Sequence, residues 1–510
     1  MSTTPDVRPA DPSVTDLPES PMQQLDATTV ARTPRPITVL QFGGGNFLRG
    51  FVDWMVQVAN DAGVTDAGVA VVHATAQPDP AFDLLREQDG LYHVVLEGVR
   101  DGQPVREVTR VDCVQAVVAA HGEFERYREL YLAPELQVVV SNTTEAGIVY
   151  VEGDDLMATP PVSFPAKVTA LLHDRFRHYA GAADKGLAIV ACELIEDNGS
   201  TLRAHVLRHA EAAGLGADFV AWVQEACSFY DTLVDRIVPG FPRADIDRIQ
   251  AELGFADRLV VQAEYFHVWA IGGDARIRAL LPLDRAGLDV RFMDDIRPFR
   301  AQKVRVLNGA HTALSALGLE CGFTSVREAY GDPDLRGYVE RLVGEEVLGT
   351  IAGDRAGLEA FAAGILERFT NPYLHHRLAD IALNAVAKWR TRNLPVYVDR
   401  VRAGQPAPLT ALSLAAVLLL QAGQGGVEGF APADDADTLE YLADTFDAEA
   451  LEGWVRGAVA HLDLASGLDP EQTEVLVQDA AAWATTIRTS GARATLLAAL
   501  AGAQTSGALR

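Results

Sequence analysis

Cysteine is scarce: the 510 residues hold four, Cys113, Cys192, Cys227 and Cys321, with no CxxC pair among them. That argues against a disulfide framework or a structural zinc site and fits a reducing cytoplasm. Basic residues are also short, with 43 Lys and Arg against 70 Asp and Glu, for a formal net charge of −27. A nucleic-acid binder needs a basic footprint, and an anionic membrane surface repels such a chain. No apolar run approaches the ~20 residues of a membrane span. The first residues show neither a basic n-region nor an apolar h-region, so no signal peptide is expected. No repeat of ~20–50 residues is visible. His205 and His209 stand i,i+4, but Val206-Leu207-Arg208 between them lacks the glutamate of a zinc protease; the pair reads as a solvated helix face. No other His, Cys and Asp grouping has metal spacing, so the chain is read as metal-independent, a cytoplasmic monomer or small homo-oligomer.

What is present is an ordinary globular balance, 48% hydrophobic and 22% charged. Residues 1–35 are rich in Pro, Asp, Ser and Thr and read as a mostly disordered extension. Ile37 to Phe42 reads as a buried strand, Gly43-Gly44-Gly45-Asn46 as a turn, Phe47 to Asn60 as an amphipathic helix and Val69 to His73 as a second strand. Further strands are expected at 93–97, 105–111, 137–141, 187–192 and 259–262. A helix is expected from Phe164, with Ser163 as its cap. Alternation of this kind predicts an α/β domain with a mostly parallel sheet covered on both faces. After Pro298 strand signals nearly vanish, and Ala/Leu-rich helical patterns run over 409–421, 438–460 and 475–501. The fold class is therefore a Rossmann-type dinucleotide-binding domain over 36–297, followed by a mainly α-helical domain over 298–510.

Three groupings carry chemistry. The Gly43-Gly44-Gly45-Asn46-Phe47 turn after the first strand allows a pyrophosphate to approach the backbone and a helix N-terminus. A plain tight turn reads equally there, because the third glycine of the usual fingerprint is absent. The second strand ends His73-Ala74-Thr75-Ala76-Gln77, with no acid before Asp79, which leaves NAD against NADP open. Lys303, Asn308 and His311 fall at roughly 0°, 140° and 80° around an α-helix, on one side. Lysine, amide and imidazole together can move a proton on and off an alcohol or ketone oxygen. Lys388-Trp389-Arg390-Thr391-Arg392, with His375, His376 and Arg377 upstream, is a local reversal of charge in an acidic chain. It reads either as a solvated helix end or as a carboxylate pocket.

The segments QFGGGNFLRGFVDW (41–54), QDGLY (88–92), SNTTEAG (141–147), CELIEDNG (192–199), TLVDRIVPGFPR (232–243), KVRVLNGAHTAL (303–314) and NPYLHHRLADIALNAVAKWRTR (371–392) resemble, in order, those of the polyol-specific long-chain dehydrogenase/reductases, the mannitol dehydrogenase family. The resemblance implies metal-independent ketone/alcohol chemistry with NAD, at a site between the two domains. It implies Lys303 as catalytic acid/base, Asn308 as oxyanion donor and His311 as substrate-positioning residue. Asn198 is the asparagine that remains where the family often has CDN and this chain has Cys192-Glu193-Leu194. Glu145 matches a proton-relaying glutamate and Asp235 a cleft position. Arg377 and Lys388 fall near substrate-contacting positions. A keto-acid sugar would use Lys388, Arg390 or Arg392 for its carboxylate; Gly43, Gly45, Asn46 and Phe47 would hold the cofactor. A catalytically silent NAD-binding sensor is the rival reading.

Overall fold

The computed structural model describes residues 22–143, 147–373 and 376–506. The chain divides into two compact units, one of residues up to 97 and 105–296, the other of 98–104 and 297 onward.

The first unit is built on an eight-stranded sheet. In chain order its strands are β1 (Ile37–Phe42), β2 (Gly68–His73), β3 (Val114–Ala119), β4 (Val138–Ser141), β5 (Ala188–Ala191), β6 (Ser228–Asp235), β7 (Val268–Gly272) and β8 (Val290–Met293). The order across the sheet is β3-β2-β1-β4-β5-β6-β7-β8. The first six run parallel in the doubly wound 3-2-1-4-5-6 order; β7 pairs antiparallel with β6 and parallel with β8. Val39, Val69, Val71, Val138 and Val190 fill the core on one face, and Leu40, Ala70, Val72, Val139 and Ile189 fill it on the other. Strands buried on both faces read as continuous apolar runs, and these do. Helix α1 (Phe164–His178) starts where expected, the Ser163 hydroxyl accepting from Ala166 N at 3.3 Å. Helix α2 (Asn198–Ala212) packs on the same face. A smaller sheet joins Val261–Glu264, Tyr92–Arg100 and Gln103–Val111.

The expected disordered extension is corrected over 22–35. Gln23–Gln24 pairs with Phe255–Ala256, and Leu25 is wholly buried beside Val30 and Leu91. Two apolar anchors, with Arg32 donating to Gln115 O at 3.1 Å and Arg35 paired to Asp66 at 2.6 Å, hold a segment whose composition alone suggests no core.

The second unit is helical. Its site-bearing elements are α3 (Arg297–Lys303), α4 (Ala310–Glu320) and α5 (Ala385–Arg392), and its centre is α6 (Pro408–Gln421). Helix α6 is buried from Leu409 to Gln421, as a helix apolar on all sides must be. The buried Glu346 carboxylate caps it, accepting from the Leu409 and Thr410 N–H groups at 2.8 Å each. Trp389 ties α5 to α6, its indole N–H donating to Ser413 Oγ at 2.9 Å. The expected helices over 438–460 and 475–501 each appear as two: Ala436–Asp444 and Leu451–His461, then Pro470–Ser490 and Ala492–Ser506. The second break falls at Gly491, whose φ of 84° lies outside helical geometry.

Candidate active site

In the first unit the candidate residues gather at the C-terminal edge of the sheet, where β1 and β4 part. Gly43 continues β1 with φ 112°, and an added Cβ would meet Leu48 Cδ1 at 3.3 Å and the Asn142 carbonyl at 3.4 Å. Only glycine takes that conformation without strain. Gly45 is extended and open: a Cβ there meets nothing within 4 Å. A helix then runs from Asn46 to Asp61, with a π-turn over Arg49–Asp53. Arg49, absent from the sequence reading, pins the turn. Its buried guanidinium donates to Gly44 O at 3.0 Å, Asn46 Oδ1 at 2.7 Å and Leu259 O at 2.7 Å. The Phe47 ring stacks on Phe51 at 5.0 Å, so this side chain serves packing, while its backbone remains in the helix's first turn. The open Gly45 and this helix start leave a cradle that fits a pyrophosphate.

The CELIEDNG segment departs from its expected role. Glu193 is buried and accepts from Ser141 Oγ at 3.1 Å and from Thr143 N and Oγ1 at 3.0 Å each, fixing the loop after β4. Glu145, the proposed relay, lies outside the described residues. Asn198 is fully buried. Its Nδ2 donates to Glu193 O at 3.0 Å and Thr232 O at 3.2 Å, and its Oδ1 accepts from Gly199 N at 2.9 Å and Thr232 N at 2.8 Å. Both amide protons are committed, so Asn198 clamps α2 to β6 and offers no donor to an oxyanion; its expected catalytic role is corrected on that ground. Asn198→Ala should cost stability, about 1–3 kcal/mol for even one orphaned backbone group. Chemical denaturation reads the cost, and kcat of the folded variant should stay within a few-fold of wild type.

Asp235 closes β6 and is 8% exposed. Its neighbour Arg236 is structural. The guanidinium sits 4.0 Å over the Trp54 ring and donates to Gly50 O at 2.7 Å; burial pushes its pKa down to about 9. His209 is corrected from a solvated position: it is 3% exposed, its ring 4.5 Å from Tyr150.

In the second unit the Lys303–His311 stretch is not one α-helix. A π-turn over Val304–Gly309 separates α3 from α4. Its i→i+5 winding stacks residues five apart, so Lys303 and Asn308 share a face more closely than an α-helix would allow. Lys303 and Asn308 are half-buried. The His311 ring stacks on Phe369 at 4.3 Å and 12°, with His376 edge-on at 4.9 Å. Burial first, then the nearby His376, Arg368, Arg392 and Lys303, holds the His311 imidazole well below its ordinary pKa. It is therefore a neutral donor and acceptor at pH 7.

The basic cluster separates by face. Arg392 Nη1 donates to Thr312 Oγ1 at 3.1 Å and Asn308 O at 3.5 Å, beside the lysine set. Lys388, one turn back, donates to Ile381 O at 2.9 Å; burial, then Arg392, lowers its pKa. Arg390 points elsewhere, exposed, its Nη1 3.5 Å from Leu462 O. Arg377 is exposed ahead of the short helix Leu378–Ile381, its backbone bridged to Ser325. His375 lies outside the described residues. Phe369, Arg368 and His376 complete the surroundings of His311. Of these the sequence singles out only His376, as part of a basic run.

The mannitol dehydrogenase Rossmann domain model matches residues 37–284, and the mannitol dehydrogenase C-terminal domain model matches 295–445. The altronate oxidoreductase of Klebsiella pneumoniae strain 342 is 41% identical over 420 residues, covering 82% of this chain and 86% of that protein. That of Cronobacter sakazakii is 40% identical over 406 residues, covering 79% and 84%. Among solved structures, a substrate-free D-sorbitol dehydrogenase superposes with TM-score 0.79 at 21% identity, over 93% of this chain and 100% of that one. The Pseudomonas fluorescens mannitol 2-dehydrogenase, in ternary complex with NAD and D-mannitol, gives 0.68 at 22%, over 94% and 97%.

Proposed function

Because the chain belongs to the mannitol dehydrogenase family, we propose that it is an NAD-dependent oxidoreductase that reduces D-tagaturonate to D-altronate in the cytoplasm. The observation that carries this reading is identity of 40–41% with altronate oxidoreductases over about four-fifths of the chain. The Gly43–Gly45 turn, open at Gly45, supports a dinucleotide as cofactor. Bound NADH supplies the hydride for the ketone carbon.

The chain's own residues supply everything else. Protonated Lys303 gives a proton to the ketone oxygen, and in the oxidative direction the neutral amine takes it back. The Asn308 amide, stacked on the same face by the π-turn, donates to that oxygen as negative charge develops. Neutral His311, held flat by Phe369, fixes the neighbouring substrate hydroxyl. Glu145 is proposed to relay the lysine's proton toward solvent. A net charge of −27 repels an anionic sugar acid at long range, so its carboxylate needs a local cation. Arg392, with Lys388 one helical turn away, is the one proposed here. Arg390, on another face, is set aside.

NADH oxidation with tagaturonate, fructuronate and fructose offered in parallel tests the reading. Preference for tagaturonate is expected, turnover of fructose alone would remove the keto-acid assignment, and no turnover would favour a silent sensor. Arg392→Ala should raise KM for tagaturonate about tenfold or more, the worth of a charge-assisted hydrogen bond, and barely alter KM for fructose. Arg390→Ala should change neither, and equal effects of the two variants would sink the carboxylate role.

A further inference from the structure

The place where a dinucleotide fold distinguishes its two nicotinamide cofactors is the C-terminal end of the strand next to β1, here β2. A carboxylate at that point binds the ribose 2′-hydroxyl and repels a 2′-phosphate. In this chain β2 ends at His73. The ring is held in place, Nε2 3.2 Å from Thr75 Oγ1 and the imidazole 5.0 Å from the Phe82 ring.

The nearby carboxylates are otherwise engaged. Asp79 caps the helix Pro80–Glu87, its Oδ1 accepting from Ala81 N at 3.0 Å and Phe82 N at 3.4 Å. Glu123 accepts from Ala119 N at 3.0 Å and is paired with Arg86. Asp154 accepts from Val162 N at 3.0 Å and Ser163 N at 2.6 Å. Positive and imidazole groups are concentrated instead. His121, exposed two residues beyond β3, has the Ala74 backbone, Lys167 and His73 as its neighbours. Lys167 is 4% exposed in the first turn of α1, its Nζ donating to Val162 O at 2.5 Å. Buried so near the sheet edge, its charge acts through a medium that screens it weakly.

We propose that His73, Thr75 and His121 form a 2′-phosphate subsite at the ends of β2 and β3, with Lys167 behind it, so that the protein accepts NADPH as well as NADH. The imidazole and hydroxyl donors suit phosphate oxygens, and nothing in the group compels rejection of a free 2′-hydroxyl. The inference rests on the nicotinamide-dependent reading above, and it concerns which dinucleotide the first unit admits.

Titration of NADH and NADPH by their fluorescence on the full-length protein tests it without any sugar substrate. The expected Kd for NADPH is within about tenfold of that for NADH, and raising salt should weaken NADPH more steeply. His73→Asp should raise the NADPH/NADH ratio of Kd values by about tenfold or more, because it replaces an attractive partner with a like charge. His121→Ala, at an exposed position with little risk to folding, should raise the same ratio in the same direction. A wild-type ratio beyond about tenfold, or a ratio that neither variant moves, overturns the subsite. Failure of both dinucleotides to bind would overturn the nicotinamide reading as well, whereas NADH binding alone overturns only this inference.

Discussion

Lys303→Ala is expected to lower kcat by about 10²–10⁴-fold, the usual contribution of a positioned general acid. Lys303 ends α3 at the boundary with the π-turn and is half-buried. Truncation leaves backbone winding untouched, and alanine is a good helix former. The NADH dissociation constant should therefore hold, and so should the thermal midpoint. Lys303→Arg is the sharper control. It keeps the charge but cannot release a proton near neutral pH, so it should rescue little. Stopped-flow mixing with NADH separates the chemical step from cofactor binding. A Lys303→Ala variant that turns over at near the wild-type rate would remove the lysine from the mechanism and leave Asn308 and His311 without a proton donor to work with.

The largest stability effect is expected from Trp389→Ala, about 3–5 kcal/mol. Trp389 is wholly buried, and its N–H is bonded to Ser413 on the central helix α6. Truncation opens a cavity and removes the indole donor from the Ser413 hydroxyl, which keeps only its bond to Thr410 O at 2.6 Å. Trp389→Phe fills most of that volume and loses only the hydrogen bond, so it should cost about 1–2 kcal/mol. Urea unfolding gives both values. Because α5 also carries Lys388 and Arg392, the alanine variant should raise KM for the keto-acid even under conditions where it remains folded. A variant with unchanged midpoint would mean that α5 does not depend on α6 for its place.

Much of this was legible in the chain. β1, the glycine turn, β2 and the capped start of α1 follow from long apolar runs bounded by Gly, Ser and Pro. The strands β3, β6, β7 and β8 did not stand out. Val290–Met293 is interrupted by Arg291, and Ser228–Asp235 carries Asp231 and Asp235, so neither shows the near-continuous apolar run that marks Val138–Ser141 and Ala188–Ala191. The facing of the basic cluster was available from spacing alone: Lys388 and Arg392 are i,i+4, and Arg390 falls between them on another side. The commitment of Asn198 was not available, because its partner Thr232 lies 34 residues away on β6. Nor was the anchoring of residues 22–35, which turns on Leu25 finding a pocket beside Phe255.

The π-turn at Val304–Gly309 makes the spacing between Lys303 and Asn308 part of the chemistry. An uninterrupted α-helix of the same spacing would set Lys303 and Asn308 roughly 140° apart around the axis, with lysine, asparagine and histidine all present and yet out of phase. Paralogues that keep the three residue types and their spacing can therefore have lost competence through substitutions that let the helix wind regularly. Sorting working copies from relics in a genome then comes down to how the backbone winds as well as to matching letters.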